Sequence, residues 1–220
     1  MVKKQAFVSL GLSTAQEELT WLELSNSDNQ GLIAGVDEVG RGALFGPVVA
    51  AAVILPSSAL PQLMAAKIKD SKKLSSSRRT QLAQQICAVA IDWKIGFAST
   101  SEIDSINILQ ATLLAMKRAV LKLKVQPALC WVDGNQSIKD LLIPQQTIIK
   151  GDERSLTIAS ASIVAKVWRD DLVIRLASKY PMYDLERNKG YGSISHLTAL
   201  RQHGATPMHR LSFRPCQIKL

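Results

Sequence analysis

Short apolar runs that end in acidic and glycine residues are the main pattern of this chain. Residues 32–34 lead into Gly35–Gly42, which reads GVDEVGRG, and a second run rich in β-branched residues follows from Pro47 to Leu55. This alternation predicts a strand, a polar glycine loop and a second strand. Neighbours on an extended chain point to opposite faces. We therefore expect Asp37 to point into a site and Glu38 to flank it, unless the strand twists or one residue acts through its carbonyl.

The same pattern occurs twice more. Residues 128–132 form an apolar run that ends in Asp133 and Gly134, and residues 147–149 form another that leads to Gly151 and Asp152. An Asp-Gly pair is also a common turn. The alternative is a carboxylate at the carboxyl end of a core strand, where the sites of α/β sheets gather.

Helical spacing of apolar positions predicts three helices between and after these strands. The first is capped by Ser75, Ser76 or Ser77, the second runs over 106–123 after a Ser101–Asp104 capping box, and the third runs over 158–179. In the second helix we expect one core stripe, made of Leu109, Leu113, Met116, Val120 and Leu123. The alternation of apolar and helical segments predicts an α/β fold.

Composition narrows the class of protein. The 220 residues carry a formal net charge of +9, and 47% of them are hydrophobic, which predicts one α/β domain and a polyanionic partner. Residues 187–220 contain no Asp or Glu but all three histidines, and we interpret this segment as a phosphate contact.

Three scattered cysteines without a CxxC pair argue for a reducing compartment and against zinc. We expect no secretory signal or membrane span, and a cytoplasmic location.

Four acidic residues are candidates for a metal site: Asp37, Glu38, Asp133 and Asp152. Carboxylates gathered in a basic protein repel each other unless cations lie among them. Oxygen ligands without His or Cys suit Mg²⁺ or Mn²⁺, and two such ions beside a phosphodiester catalyse in-line hydrolysis. The alternative is three unrelated turns at strand ends.

Asp70–Lys73 offers a hydroxyl and two ammonium groups before a helix, which suits either phosphate contact or a solvated turn.

From about Leu32 to Pro215 the sequence resembles ribonuclease HII, the type 2 ribonuclease H of bacteria. The motifs that carry the resemblance occur in order along the chain: Gly35–Gly42, Asp70–Leu74, Val132–Asn135, Lys150–Asp152, Ala161–Val167, Arg169–Asp170, Lys189–Tyr191, His209–Arg210, Ser212–Phe213 and Pro215. An ordered series of this kind is far more specific than any single motif.

The resemblance implies a ribonuclease H-like fold: a mixed five-stranded sheet flanked by helices, with a C-terminal helical part. We expect an N-terminal extension over 1–30, a ribonuclease H-like catalytic core over 31–180 and a basic C-terminal helical segment over 181–220 that packs on the core. The resemblance also implies a metal-dependent endonuclease that hydrolyses the RNA strand of RNA–DNA hybrids and incises 5′ of single ribonucleotides in duplex DNA. We expect a monomer that uses Mn²⁺ or Mg²⁺.

Roles carry over by matching position. Asp37, Glu38, Asp133 and Asp152 match the catalytic, metal-binding acids of the family. The substrate-binding positions are Gly40, Arg41 and Gly42 at the ribose 2′-hydroxyl, Tyr191 on the following sugar, and Ser71, Lys72 and Lys73 near the backbone. Two rivals stay open: a nucleic-acid binding module without catalysis, and a nuclease of the same fold that cuts DNA.

Overall fold

The structure is a computed structural model that describes residues 31–68 and 74–217. The predicted N-terminal extension lies outside the described residues. So do Ser71, Lys72 and Lys73 of the predicted substrate-binding set.

A mixed sheet of five strands forms the centre of the fold, as the resemblance implies. The strands are β1 (Ile33–Val39), β2 (Val48–Ile54), β3 (Asp92–Ala98), β4 (Leu129–Asp133) and β5 (Gln145–Ile148). The order across the sheet is β3-β2-β1-β4-β5. β1 pairs antiparallel with β2 and β2 with β3, whereas β1 and β4, and β4 and β5, are parallel.

Seven α-helices accompany the sheet in the described residues. They are α1 (Leu60–Ala65), α2 (Ser76–Val89), α3 (Thr100–Leu121), α4 (Gly151–Arg154), α5 (Leu156–Ala177), α6 (Leu185–Asn188) and α7 (Ile194–His203). Ser75 caps α2 by accepting a hydrogen bond from the N–H of Arg78, in agreement with the predicted serine cap. Within the described segments, no helix combines the length and the apolar character that a membrane crossing needs.

Helices cover both faces of the sheet, which is why β2 reads as an unbroken apolar run. On one face α3 packs through Ala111, Ala115 and Met116, and on the other α5 and α2 pack around Ala51 and Val53. Every residue of β2 is buried. Gly35 makes the closest approach possible, since a Cβ there would lie 2.4 Å from the Thr157 carbonyl carbon at the start of α5.

Helix α3 differs from the prediction in its start and in its stripe. It begins at Thr100, and the capping box is formed by Ser99 and Glu102 instead of Ser101 and Asp104. Asn107 has non-helical dihedral angles (φ 66°, ψ 164°) and interrupts the helix. Leu113, Met116 and Val120 are buried as expected, but Leu109, just past this break, is 37% exposed.

The segment after α5 packs against the glycine loop between β1 and β2. Leu44 and Phe45 of that loop lie in one apolar cluster with Tyr183, Leu185 and Leu200. This cluster is separate from the two layers beside the sheet. It joins the C-terminal segment to the loop on which the candidate site depends.

Candidate active site

Three of the four predicted acids meet at the carboxyl ends of β1 and β4. The last pair between these parallel strands is Val36 with Val132, so Asp37 and Asp133 follow at the same edge of the sheet. Oxygens of Asp37, Glu38 and Asp133 all lie within 4.8 Å of one another. β1 extends beyond its last pair with β4, and both of its carboxylates reach this space. Glu38 therefore shares the site with Asp37 and does more than flank it.

Burial and like charge act together on these acids. The pKa of Asp37, which is 4% exposed, is raised well above its ordinary value by burial and then by the charges of Glu38 and Asp133. Hydrogen bonds from the Ser162 hydroxyl and the Glu38 N–H oppose this shift. Burial also raises the pKa of Glu38, although Arg41 counteracts it. Three crowded carboxylates with hard oxygen atoms fit a divalent cation such as Mg²⁺ or Mn²⁺.

Asp152 lies next to this group but outside the 4.8 Å set of the described acids. β5 ends at Ile148, and Lys150 adopts a left-handed conformation, so Asp152 falls in the first turn of α4 and does not end a strand. The N–H of its neighbour Gly151 donates a 2.6 Å hydrogen bond to Asp133 Oδ1. The start of α4 is therefore tied to the acidic group, and Asp152 is half-buried one residue away.

A cavity of about 380 Å³ opens beside Glu38. Its lining joins the glycine loop, α2, α5 and the C-terminal segment: Glu38, Val39, Gly40, Arg41, Arg79, Ser162, Ile163, Lys166 and Tyr191. It brings the predicted substrate-binding residues Gly40, Arg41 and Tyr191 to one place. Sequence reasoning gave no role to Arg79 and Lys166, whose positive charges line the same wall. The sequence did give one indication of such a role, because both residues lie on helices whose opposite face is apolar.

Of the three cations that line the cavity, Arg41 is the most exposed. Its side chain is 51% exposed and lies 3.4 Å from Glu38 Oε1. Lys166 forms a closer ion pair with Asp170, at 2.7 Å, and its Nζ lies 5.6 Å from the centre of the Tyr191 ring. The Arg41 side chain therefore remains available to a ligand in the cavity.

Two glycines of the loop have different surroundings. Gly40 has φ +88°, and a Cβ there would lie 2.2 Å from Arg169 Nε, so a side chain is excluded on both counts. At Gly42 no described atom lies within 4 Å of the position of a Cβ. The backbone at Gly42 is therefore open to an approaching ligand.

Two histidines of the basic C-terminal segment are buried, which corrects the interpretation of the whole segment as a phosphate contact. The Thr206 N–H donates to His209 Nδ1, so His209 carries its proton on Nε2 and donates it to His196 Nε2 at 3.0 Å. His196 Nδ1 in turn donates to the Tyr191 carbonyl at 2.9 Å. Burial lowers the pKa of His196 and lowers that of His209 to about 4. Both rings are neutral and hold the backbone of Tyr191.

Comparison with known proteins agrees with this arrangement. A family model described as Ribonuclease HII matches residues 34–216. A ribonuclease HII from Nostoc sp. is 70% identical over 98% of this chain and 97% of its own length, and one from Trichormus variabilis is 69% identical over 100% and 99%. The crystal structure of ribonuclease H2 from Pyrococcus horikoshii OT3 superposes with a TM-score of 0.72 at 25% identity, covering 84% of this chain and 95% of that one.

The sequence match, the superposed fold and the acidic group at the sheet edge lead to one assignment. The chain belongs to the ribonuclease HII family and is a ribonuclease H, an endoribonuclease that acts on RNA–DNA hybrids.

Proposed function

We propose that this ribonuclease H also incises duplex DNA on the 5′ side of a single embedded ribonucleotide, by two-metal-ion catalysis. The observation that carries the proposal is the continuity of the site. Glu38 belongs both to the acidic group, with Asp37 and Asp133, and to the lining of the cavity that the glycine loop and Tyr191 share. The cut and the recognition of one sugar would then take place in adjoining parts of one groove.

Asp37, Glu38, Asp133 and Asp152 are proposed as the residues that would hold the ions. When bound, two Mg²⁺ or Mn²⁺ ions would activate water and stabilise the charge that develops on the scissile phosphate. The Ser162 hydroxyl and the Glu38 N–H orient the Asp37 carboxylate, and the Gly151 N–H orients that of Asp133. These contacts place the acids before any ligand arrives, which limits reorganisation during the reaction.

Recognition of the ribonucleotide is proposed to rest on the glycine loop and Tyr191. The 2′-hydroxyl is the group that separates RNA from DNA at one nucleotide. The open backbone at Gly42, together with Gly40 and Arg41, would contact it. The half-buried Tyr191 ring would pack on the following sugar and crowd a 2′-hydroxyl there, which favours an RNA-to-DNA junction. Arg41, Arg79 and Lys166 would contact phosphates.

The experiment is incubation of the full chain with a labelled DNA duplex that carries one ribonucleotide, followed by mapping of the cut ends. With Mn²⁺ or Mg²⁺ we expect a single cut 5′ of the ribonucleotide, leaving a 3′-hydroxyl and a 5′-phosphate. An all-DNA duplex and an Asp133→Asn variant are the controls, and neither should give product. Binding without metal-dependent cutting would favour a non-catalytic module, and cutting of the all-DNA duplex would favour a DNA nuclease. We further propose that the enzyme acts as a monomer in the cytoplasm.

A further inference from the structure

Two buried arginines lie directly behind the proposed recognition groups. Arg169 on α5 and Arg210 near the end of the chain are both 0% exposed. Each side chain donates hydrogen bonds to main-chain carbonyls. Arg169 donates to the carbonyls of Pro47 (3.1 Å), Lys189 (2.9 Å) and Phe45 (2.9 Å), and Arg210 donates to those of Gly46 (3.1 Å) and Arg41 (2.8 Å).

The positive charges of the buried arginine pair (Arg169 and Arg210) are opposed by the more distant carboxylates of Asp170 and Asp104 and not by direct ion pairs among the described residues. No carboxylate of the described residues forms an ion pair with either guanidinium group, and Arg210 Nη2 has no hydrogen-bond partner among them. Burial, and after it the charge of Arg169, lower the pKa of Arg210 to about 9. Buried charges without a direct ion pair cost stability. A cost of this kind is expected where a local arrangement serves function.

The hydrogen bonds of the buried arginine pair connect two segments that are distant in sequence. Four of the five carbonyls belong to residues 41–47, and the fifth belongs to Lys189, two residues before Tyr191. The Arg169 guanidinium also lies 5.4 Å from the centre of the Tyr191 ring, and it lies against Gly40. Arg169 thus joins the glycine loop to the segment of Tyr191, alongside main-chain hydrogen bonds from Leu44 and Phe45 to the Gly190 carbonyl, and Arg210 holds the same loop from the C-terminal segment.

We infer that Arg169 and Arg210 are positioning residues that determine specificity for the RNA-to-DNA junction. This inference rests on the proposed function, in which the glycine loop contacts one sugar and Tyr191 the next. Reading two consecutive sugars requires a fixed spacing between the two recognition groups. Cleavage within a long RNA–DNA hybrid, where every sugar of the strand carries a 2′-hydroxyl, depends less on that spacing.

The test compares Arg210→Lys, Arg210→Gln and Arg169→Lys with the unaltered chain on two substrates, a DNA duplex with one ribonucleotide and a uniform RNA–DNA hybrid. Lysine retains the charge but lacks the planar group that reaches two carbonyls at once. A displacement of about 1 Å in a site can cost on the order of 10²-fold in rate. We expect kcat/KM for the junction to fall by on the order of 10–100-fold in all three variants, and that for the hybrid by a much smaller factor.

Arg175→Lys, on the exposed side of the same helix as Arg169, is the matched control and should leave both substrates unaffected. Circular dichroism and thermal denaturation report whether each variant is folded, and the ratio of kcat/KM on the two substrates does not depend on the amount of active protein. Equal fold losses on the two substrates, which leave the ratio of their kcat/KM values unchanged, would overturn the inference.

A second measurement separates this inference from the proposed function. Fluorescence anisotropy in EDTA compares binding of the junction duplex with binding of an all-DNA duplex, without any cleavage. We expect the unaltered chain to prefer the junction and the Arg210→Lys variant to lose that preference while its affinity for DNA is kept. A variant that keeps the preference, or an unaltered chain that has none, contradicts the role of the buried arginine pair. An unaltered chain that binds the junction selectively but never cuts it contradicts the proposed function alone.

Discussion

At Asp37 the requirements of stability and of the proposed metal binding oppose each other, because its buried carboxylate lies within 4.8 Å of two others. Asp37→Asn removes one negative charge and keeps a side-chain oxygen that can accept from the Glu38 N–H. In EDTA we expect the variant to be more stable by on the order of 1 kcal/mol, which is about 2–4 °C in Tm for a chain of this size. With Mn²⁺ we expect cleavage of the hybrid to fall by about 10³-fold or more.

Thermal denaturation in EDTA and a cleavage assay on the same preparation check both parts. Asp171→Asn, an exposed acid on α5, is the control and should change neither quantity. Normal activity of the Asp37→Asn variant would contradict the proposed role of Asp37 in metal binding.

Two substitutions in the glycine loop should affect stability and substrate recognition separately. Gly40→Ala forces a side chain into the left-handed region and against Arg169, and we expect a loss of about 1–3 kcal/mol of unfolding free energy. Gly42→Ala meets no described atom, and we expect its stability to change by less than about 0.5 kcal/mol. Its methyl group should nevertheless crowd the incoming sugar and slow junction incision. Urea denaturation and the junction assay distinguish the two, and full activity of Gly42→Ala would show that the substrate does not approach there.

Single residues differ in how far the sequence predicts their environment. Asp37 and Asp133 could be placed together because each follows an apolar run, and parallel strands end at one edge. Asp152 was predicted with them by the same pattern, but its place in the first turn of α4 was not, because the left-handed turn at Lys150 has no clear signal in the sequence. Arg210 and His209 read as surface cations, since their burial depends on carbonyls and rings from distant segments.

At the level of elements, the break at Asn107 divides α3 into two parts with different partners. The later part packs on the sheet, and the first turns, which bury Ile103 in the same core cluster, also contact the segment that carries Arg210. Thr100 donates to the Pro207 carbonyl, and Asp104 accepts from the N–H groups of Leu211 and Ser212 at 3.0 and 2.9 Å. The start of α3 therefore supports the C-terminal segment directly.

Asp104→Ala removes the acceptor for these N–H groups and for the Ser212 hydroxyl. We expect a loss of about 1–2 kcal/mol of unfolding free energy, together with a lower junction rate. Asp140→Asn is the control, because that carboxylate is 89% exposed and makes one ion pair at 3.6 Å, and asparagine tolerates the positive φ of this position (52°), so the change in stability should be less than about 0.5 kcal/mol. Similar losses in both variants, measured by urea denaturation, would contradict the supporting role of α3.

The same helix shows where sequence patterns reach their limit. Its apolar spacing predicted the packed part correctly through Leu113, Met116 and Val120. The exposure of Leu109 could not be predicted, because a single non-helical residue, Asn107, changes the direction of the helix. Its start was misplaced because Ser99 and Ser101 both precede acids at capping distance, and only the tertiary position of β3 selects between them.

At the level of the whole molecule, a net charge of +9 coexists with the acidic group of Asp37, Glu38 and Asp133. Duplex binding should therefore weaken steeply as salt rises, because cations of the protein displace counterions from phosphates. For Arg41→Gln we expect the slope of log K against log salt to fall by about 1 on an all-DNA duplex in EDTA. Arg175→Gln, which is exposed but lies away from the cavity, should leave the slope unchanged. An unchanged slope for Arg41→Gln would mean that this side chain contacts no phosphate.

The neutral pair of His196 and His209 should make the protein acid-labile. Since the pKa of His209 falls from 6.5 to about 4 on folding, the unfolded chain takes up the proton more readily. The stabilisation is complete above about pH 6.5 and is lost progressively as the pH falls toward 4, by on the order of 3 kcal/mol for this ring. Urea titrations at neutral and at mildly acidic pH, with His209→Gln as a variant whose response should be flatter, measure the effect. Acidification would thus detach the backbone of Tyr191 from its support before the central sheet melts, and discrimination between sugars would be the first property to disappear.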